Sequence, residues 1–188
     1  DYLLATSPAD KRLVATTIVS SQLLSYLAKQ YGADYRETLT GFKWIANAAL
    51  ALQPEGYRFL MGYEEAIGYT VGELVRDKDG VGSAVVAADM AQWCKSRGTT
   101  LFGYLEEVQR EHGLYLGSQF NATLPGTSGA AQIRAVMEAF RARPISSVGA
   151  AAIEAALDYQ AQTRVEGNKT SALTLPKLTR KLENYRGG

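Results

Sequence analysis

The chain has 188 residues, 46% of them hydrophobic and 21% charged, a composition typical of a globular protein with one large domain or two small ones. Its 20 basic and 19 acidic residues leave a formal net charge of +1, so its overall charge does not attract nucleic acid or an anionic membrane. A single cysteine excludes an intrachain disulfide and fits a reducing compartment. No apolar run reaches the ~18–20 residues that span a bilayer. From the charge, the cysteine usage and the lack of such a run together, we expect a cytoplasmic protein with neither nucleic acid nor membrane as a partner.

Residues 1–10 are predicted to be the end of a preceding helix and its linker. Residues 1–4 (DYLL) are typical of a last helical turn, and residues 6–10 (TSPAD) are typical of a linker. At the other end the sequence stops at Gly187 and Gly188 without a closing element. From both ends we expect a fragment of a longer protein.

Strand and helix patterns alternate over residues 11–116. Residues 12–19 are rich in β-branched side chains and almost continuously apolar, which predicts a strand buried on both faces. Ser20 and Ser21 can cap the helix that follows. The other predicted strands are 35–39 and 57–63, and the predicted helices are 21–32, 41–52, 83–97 and 101–113. This alternation is typical of an α/β layer domain with a largely parallel sheet.

Residues 117–188 have a different pattern, which predicts a partial C-terminal α+β domain with an incomplete core. In chain order the pattern predicts a strand at 119–124, a loop at 125–129, a helix at 130–143, a second candidate helix at 148–160 and a polar stretch at 163–172. Ile133, Met137 and Phe140 fall on one face of the first of these helices.

The most informative segment for function is GYEEAIGY, residues 62–69. Two carboxylates, Glu64 and Glu65, stand between Gly62 and Gly68 directly after an apolar strand. Glycine lets a backbone approach a ligand closely, and carboxylates accept hydrogen bonds from sugar hydroxyls. A solvated acidic loop explains the same residues equally well.

A second segment, RDKDG at residues 76–80, combines both signs of charge. Its spacing resembles the opening of a calcium loop, but the downstream glutamate is absent, which excludes that site. Arg76 and Lys78 can face a phosphate while Asp77 and Asp79 orient them. On the residues alone, a charged surface turn is the favoured interpretation.

The third segment, TLTGFKWI at residues 38–45, places Gly41 and Lys43 at a helix N-terminus. Backbone N–H groups and the helix dipole favour anions there. The alternative is an ordinary capped helix with Phe42 and Trp44 in the core.

The remaining reactive side chains predict no metal site. His112 has no cysteine or second histidine near it, so we expect a surface residue at a helix end and no zinc. Cys94 lies on an apolar helix face and is predicted to be in the core. The loop at residues 124–129 (LPGTSG) precedes a helix, a position that can bind an anion, but most such loops are only turns.

The three segments in this order, together with TIVSS at residues 17–21, resemble the third domain of the phosphohexomutases, the phosphoglucomutase and phosphomannomutase enzymes. The coincidence of three spaced motifs over about residues 10–116 makes the resemblance specific. Tyr63, the two glutamates and Ala66 are most similar to the phosphopentomutase-like branch. The resemblance implies a three-layer α/β domain with a mixed sheet, followed by the start of the fourth domain.

The resemblance also implies a reaction. Such enzymes have four domains around a cleft, and a phosphoserine of the first domain transfers its phosphoryl group to a sugar monophosphate. The bisphosphate intermediate turns over and returns its other phosphate to the serine. A magnesium ion held by the second domain assists, and a sugar bisphosphate acts as activator. The implied partners are therefore a sugar phosphate and the other domains of the same polypeptide.

Carried over by position, Glu64 would be the main acceptor for sugar hydroxyls, and Lys78 would stabilise negative charge in the transition state. Ala66 stands where much of the family has a serine, which leaves the choice between hexose and pentose open. The substrate-binding residues implied by the resemblance are Gly41, Lys43, Gly62, Glu64, Glu65, Arg76 and Lys78.

The chain lacks the phosphoserine segment, the aspartate-rich magnesium loop and the phosphate-gripping loop of the family. By itself it is therefore not expected to catalyse. The principal hypothesis is the sugar-binding fragment of a phosphosugar mutase that interconverts 1-phosphates and 5- or 6-phosphates. The alternative is a non-catalytic sugar-phosphate-binding or scaffold module.

Overall fold

The strand predicted to be buried on both faces lies inside a four-stranded sheet. A computed structural model describes residues 1–118 and 120–173 and separates two units, Asp1–Gly117 and a second that begins at Ser118. The elements of the first unit are α1 (Tyr2–Thr6), β1 (Arg12–Thr17), α2 (Leu23–Gln30), β2 (Asp34–Thr38), α3 (Phe42–Leu52), a 3-10 turn (Gln53–Glu55), β3 (Arg58–Tyr63), β4 (Tyr69–Val71), α4 (Gly80–Ser96) and α5 (Leu101–His112).

The strand order of this sheet is β2-β1-β3-β4. β1 pairs in parallel with β2 and with β3, and all six of its residues are buried, which confirms the interpretation of its apolar pattern. β4 was not predicted because it has only three residues. It pairs antiparallel with β3 and makes the sheet mixed.

Helices cover both faces of the sheet, so the first unit has the three layers that the resemblance implies. Alternate residues of a strand point to opposite faces, and β1 therefore contributes to two cores. The core beneath α3 contains Leu13, Ala15, Ile45 and Phe59. The core beneath α2 contains Leu4, Val14, Leu24, Leu27, Ala28 and Leu60.

A third apolar cluster joins α1, α4 and α5. The Trp93 ring lies edge-on to Tyr2 and Tyr104, with centroid distances of 5.3 and 5.0 Å. Cys94 is buried in this cluster, as predicted. The prediction that His112 is a surface residue is wrong: its side chain is only 7% exposed. The ring packs 5.8 Å from Tyr26 because α5 lies against α2.

Arg12 is buried at the start of β1, with 4% of its surface exposed. Its guanidinium donates hydrogen bonds to the carbonyls of Leu4 (2.7 Å) and Tyr31 and more weakly to that of Ser7 (3.5 Å). These carbonyls stand at the C-terminal ends of α1 and α2, where unpaired acceptors and the helix dipole favour a cation. One arginine therefore ties two helices to the sheet.

Two helix starts differ from the prediction. Ser20 and Ser21 do not cap α2, which begins at Leu23 without a side-chain cap. α4 begins three residues before the predicted position because the Asp79 carboxylate accepts a hydrogen bond from the Gly82 N–H at 2.8 Å and caps the helix. Thr100 caps α5, and its side chain accepts a hydrogen bond from the Gly103 N–H. None of the helices within residues 1–118 and 120–173 is long and apolar enough to cross a membrane.

The second unit contains α6 (Gly129–Ala142), β5 (Ser147–Val148), β6 (Ala151–Ala152), β7 (Ala156–Asp158), β8 (Thr163–Glu166) and β9 (Lys169–Ala172). The helix prediction for α6 is confirmed. Residues 120–124 form no strand, and residue 119 lies outside the described residues. Residues 148–160 form short strands instead of a helix, because Gly149 turns the chain at φ 57° and β7 pairs with β8. The polar stretch at 163–172 is a β-hairpin.

The first prediction concerns Gly62, which lies inside β3 beneath α3. A Cβ at this position would lie 2.5 Å from Ile45 Cγ2 and 3.2 Å from the Ala15 carbonyl oxygen. We expect Gly62→Ala to lower the free energy of unfolding by about 1–3 kcal/mol, the usual cost of overpacking a core. Urea denaturation measures the change.

Gly80→Ala is the matched control, because Gly80 is also a glycine of the first unit but has open space around it. It should be neutral or slightly stabilising. Equal stability of Gly62→Ala and the unmodified chain would show that α3 does not pack closely on β3.

Candidate functional site

The carboxyl ends of the three parallel strands β2, β1 and β3 lie at the same edge of the sheet. The helices that follow β1 and β2 lie on opposite faces, because α2 covers one face and α3 the other. In open α/β sheets, ligands bind outside the carboxyl ends of the strands, where the connections diverge in this way. The loops at this edge are residues 18–22, 39–41 and 64–68, and they contain parts of two of the predicted motifs.

Glu64 follows β3 directly and is the buried carboxylate of this edge, with 9% of its surface exposed. Its Oε1 accepts a hydrogen bond from the Gly41 N–H at 2.5 Å. Gly41 precedes α3 and has φ 116°, a conformation that favours glycine. The anion predicted at the N-terminus of α3 is therefore the carboxylate of Glu64 itself, in the position that the helix dipole favours.

Lys78 brings the third motif to the same place. Its Nζ lies 4.0 Å from Glu64 Oε2 and 4.5 Å from the centroid of the Phe42 ring. Its stem passes over Gly68, where a Cβ would come within 2.9 Å of three side-chain carbons of the lysine. The structure thus brings Gly41, Glu64 and Lys78 together from three separate segments.

The pair of Glu64 and Lys78 retains the capacity to bind a ligand. A carboxylate offers about four lone-pair positions, and the Gly41 N–H occupies one of them. The Lys78 side chain is 48% exposed, and its ammonium has three donors. A fixed acceptor beside an exposed cation can bind a molecule that carries hydroxyls and a negative charge.

Glu65 is turned toward the opposite face of the sheet from Glu64. Its Oε1 accepts a hydrogen bond from the Ser21 N–H at 2.8 Å, and its own N–H donates to Ser20 Oγ at 3.4 Å. Successive residues of an extended chain point to opposite sides, so Glu64 reaches the start of α3 while Glu65 reaches the segment before α2. Glu65 therefore fixes the loop to the protein.

The other residues predicted for the site have different surroundings. Gly62 is buried in β3 against Ile45. Lys43 is exposed in the first turn of α3, with its Nζ 5.6 Å from the ring centroid of the half-buried Trp44. Arg76 lines a shallow groove between α3 and residues 70–76. Of the described cations, Lys78 alone lies within 4.0 Å of the Glu64 carboxylate.

The aspartates of the RDKDG segment do not orient its basic side chains. Asp79 caps α4, and Asp77 accepts a hydrogen bond from the backbone N–H of Lys78 at 2.7 Å. Lys78 pairs instead with Glu64. Glu64 lies outside the RDKDG segment, so that segment alone could not predict the pairing.

A metal would need a different set of ligands. Within residues 1–118 and 120–173, no group of three or more histidine, cysteine, aspartate or glutamate side chains could hold a metal ion. We therefore assign no described residue as a ligand of the expected magnesium.

The comparisons with a family model and with individual known proteins agree with one another. The model of phosphoglucomutase/phosphomannomutase alpha/beta/alpha domain III matches residues 1–111. A phosphoglucomutase of Staphylococcus epidermidis is 33% identical over 168 residues, which make up 88% of this chain and 31% of that protein. A probable phosphomannomutase of Haemophilus influenzae is 33% identical over 84% of this chain and 30% of its own length.

A probable phosphoribomutase of Schizosaccharomyces pombe is 36% identical over 61% of this chain and 20% of its own length. The chain thus spans at most about a third of the length of these relatives. No solved structure matches the chain significantly.

The second prediction concerns the attachment of the loop by Glu65. Glu65→Ala removes the acceptor for the Ser21 N–H, and we expect a loss of about 1 kcal/mol in unfolding free energy, as for the loss of a helix cap. Amide hydrogen exchange at Ser21 should become faster. Glu65→Gln is the control, since its amide oxygen still accepts the bond, and unchanged exchange at Ser21 in Glu65→Ala would argue against the contact.

The third prediction concerns Tyr63, the last residue of β3. Burial and, to a smaller extent, the charge of Glu65 raise the pKa of the Tyr63 phenol from 10.0 to about 12. The folded chain therefore holds this proton to higher pH than the unfolded chain does. The contribution of the protonated Tyr63 phenol to stability is complete below about pH 10 and is lost as the pH rises to about 12.

Urea unfolding of the unmodified chain and of Tyr63→Phe, in steps from pH 9 to pH 12, measures this contribution. The unmodified chain should lose more stability over that window than the variant does. Parallel curves would mean that the phenol titrates alike in both states.

Proposed function

The chain belongs to the phosphoglucomutase/phosphomannomutase family, and we propose that it is the sugar-recognition part of a phosphosugar mutase. The reaction moves a phosphoryl group between the 1-position and the terminal position of a sugar. It proceeds through a bisphosphate intermediate and a phosphoserine that another domain of the polypeptide supplies. The observation that carries the proposal is the Glu64 carboxylate, held by the Gly41 N–H beside Lys78 at the carboxyl edge of the sheet.

In this proposal Glu64 reads the sugar hydroxyls. A hydroxyl is a neutral donor with directional geometry, and a bond from it to a carboxylate is stronger than a bond to a neutral acceptor. Because Glu64 is nearly buried and already bonded to Gly41, its remaining lone pairs have a fixed direction. A fixed acceptor orients the sugar and favours a single pose for phosphoryl transfer.

Lys78 supplies positive charge next to the bound sugar. Phosphoryl transfer spreads negative charge over the transferred group and the leaving oxygen, and a cation that is already in place stabilises this charge. Lys43 and Arg76 add positive charge at the periphery of the proposed sugar site. In the proposal Gly41 holds the Glu64 carboxylate, Glu65 holds the loop that follows β3, and Gly62 lets α3 pack closely on β3.

The remaining parts of the reaction belong to the other domains in the proposal. Magnesium, when bound there, supplies charge neutralisation at the phosphoryl group, and a sugar bisphosphate primes the serine. A cytoplasmic setting is part of the proposal because the one cysteine is buried and unpaired.

The fourth prediction tests the roles of Glu64 and Lys78 in the complete mutase polypeptide that the proposal requires. Lys78→Met should lower kcat about a hundredfold with a smaller change in KM, because its charge matters most in the transition state. Glu64→Gln should raise KM about tenfold or more, because a hydrogen bond to a charged acceptor is lost. Steady-state assays use the 1-phosphates of glucose, mannose and ribose, with magnesium and a bisphosphate primer.

Lys95→Met is the matched control, since Lys95 is an exposed lysine in the last turn of α4 and should leave both constants unchanged. Unaltered kinetics in Glu64→Gln and Lys78→Met would remove this site from the reaction. Binding of the sugar phosphates by a folded, serine-phosphorylated polypeptide without turnover would favour the non-catalytic binding module.

A further inference from the structure

Lys78 is half-exposed, yet both its stem and its ammonium lie against other groups of the site. An exposed lysine ordinarily samples many rotamers, and holding it in one of them costs conformational entropy. Here the stem lies over the backbone of Gly68, and the ammonium lies near the Glu64 carboxylate and over the Phe42 ring. Two different groups therefore attract the same charge.

The contact with Glu64 does not by itself fix the direction of the ammonium. The distance of 4.0 Å between Nζ and Oε2 exceeds the 2.7–3.2 Å of a hydrogen bond. In the proposed function the same carboxylate also accepts sugar hydroxyls, so part of its negative charge is directed to the ligand when the site is occupied.

The contact of Lys78 with Phe42 differs from its contact with Glu64 in both respects. Its side chain is only 3% exposed, and it is the first residue of α3, directly after Gly41. The ring therefore has a fixed position, and it has no group that could hydrogen-bond to a sugar. Its face carries negative potential, and the 4.5 Å separation is within the ≈ 6 Å range of a cation–π interaction.

We infer that Phe42 is a positioning residue for Lys78: the face of its ring holds the ammonium at the carboxyl edge of the sheet independently of Glu64. This inference rests on the proposed function for its catalytic consequence, but the positioning itself is a property of the ligand-free chain. An aliphatic side chain of similar size fills the same space and lacks the attraction.

The fifth prediction measures the positioning directly in the 188-residue chain by nuclear magnetic resonance. In the unmodified chain the Lys78 ε-protons should be shifted upfield by the ring, and the order parameter of Cε should exceed that of the exposed Lys95. Phe42→Leu should abolish the shift and lower the order parameter to the value of Lys95. Glu64→Gln should preserve most of both signals.

Phe59→Leu is the matched control, because Phe59 is a buried phenylalanine in the core beneath α3 and its replacement opens a similar space. Lys78 should keep its shift and order in this variant, although the stability of the chain falls. Fluorinated phenylalanines at position 42 keep the shape and weaken the negative potential of the ring, and each added fluorine should lower the order parameter further.

Three results would overturn the inference. They are Lys78 ε-protons without an upfield shift in the unmodified chain, equal order in Phe42→Leu and the unmodified chain, and loss of order in Glu64→Gln equal to that in Phe42→Leu. The last result would assign the position of the ammonium to Glu64 instead.

Turnover gives an independent readout in the complete polypeptide. Phe42→Leu should lower kcat about two- to fivefold, in line with an exposed cation–π contact, and should have no further effect when Lys78→Met is already present. Additive effects would mean that Phe42 acts through another group. If no sugar phosphate is turned over, the proposed function fails, while the resonance measurements still decide the positioning of Lys78.

Discussion

The hydrogen bond from the Gly41 N–H to the Glu64 carboxylate is the contact on which the rest of the site depends. It joins the end of β3 to the start of α3, where the first backbone N–H groups of a helix have no partner within the helix. A buried carboxylate needs hydrogen bonds and an opposite charge to be tolerated, and Gly41 and Lys78 supply them. The attachment of β3 to the start of α3 and the direction of the Glu64 oxygens thus have a common cause.

The two neighbouring glutamates have different hydrogen-bond partners because of the geometry of the sheet. Glu64 and Glu65 leave the end of β3 on opposite sides, and each carboxylate accepts a hydrogen bond from a backbone N–H before a different helix. The loop is therefore attached on both faces of the sheet. This attachment limits the movement of Glu64 and leaves only part of its surface open to a ligand.

Glycines of these motifs are required by the protein's own packing. Gly41 has a positive φ, Gly62 has Ile45 where a Cβ would lie, and Gly68 lies under the stem of Lys78. Sequence alone cannot distinguish a glycine that admits a ligand from one that admits a neighbouring side chain. In the proposed site, the groups that face the ligand are accordingly the side chains of Glu64 and Lys78.

The amino-acid sequence is sufficient to predict the α/β class, the approximate positions of β1–β3 and α2–α6, and the segments that carry the candidate site. These features follow from local patterns: continuous apolar runs, helical periodicity and caps such as Thr100. Four features could not be predicted from it: the partners of the buried Arg12, the burial of His112, the pairing of β4 and the different hydrogen-bond partners of Glu64 and Glu65. Each of these depends on groups distant along the chain, which meet only when the sheet and its two helical layers have assembled.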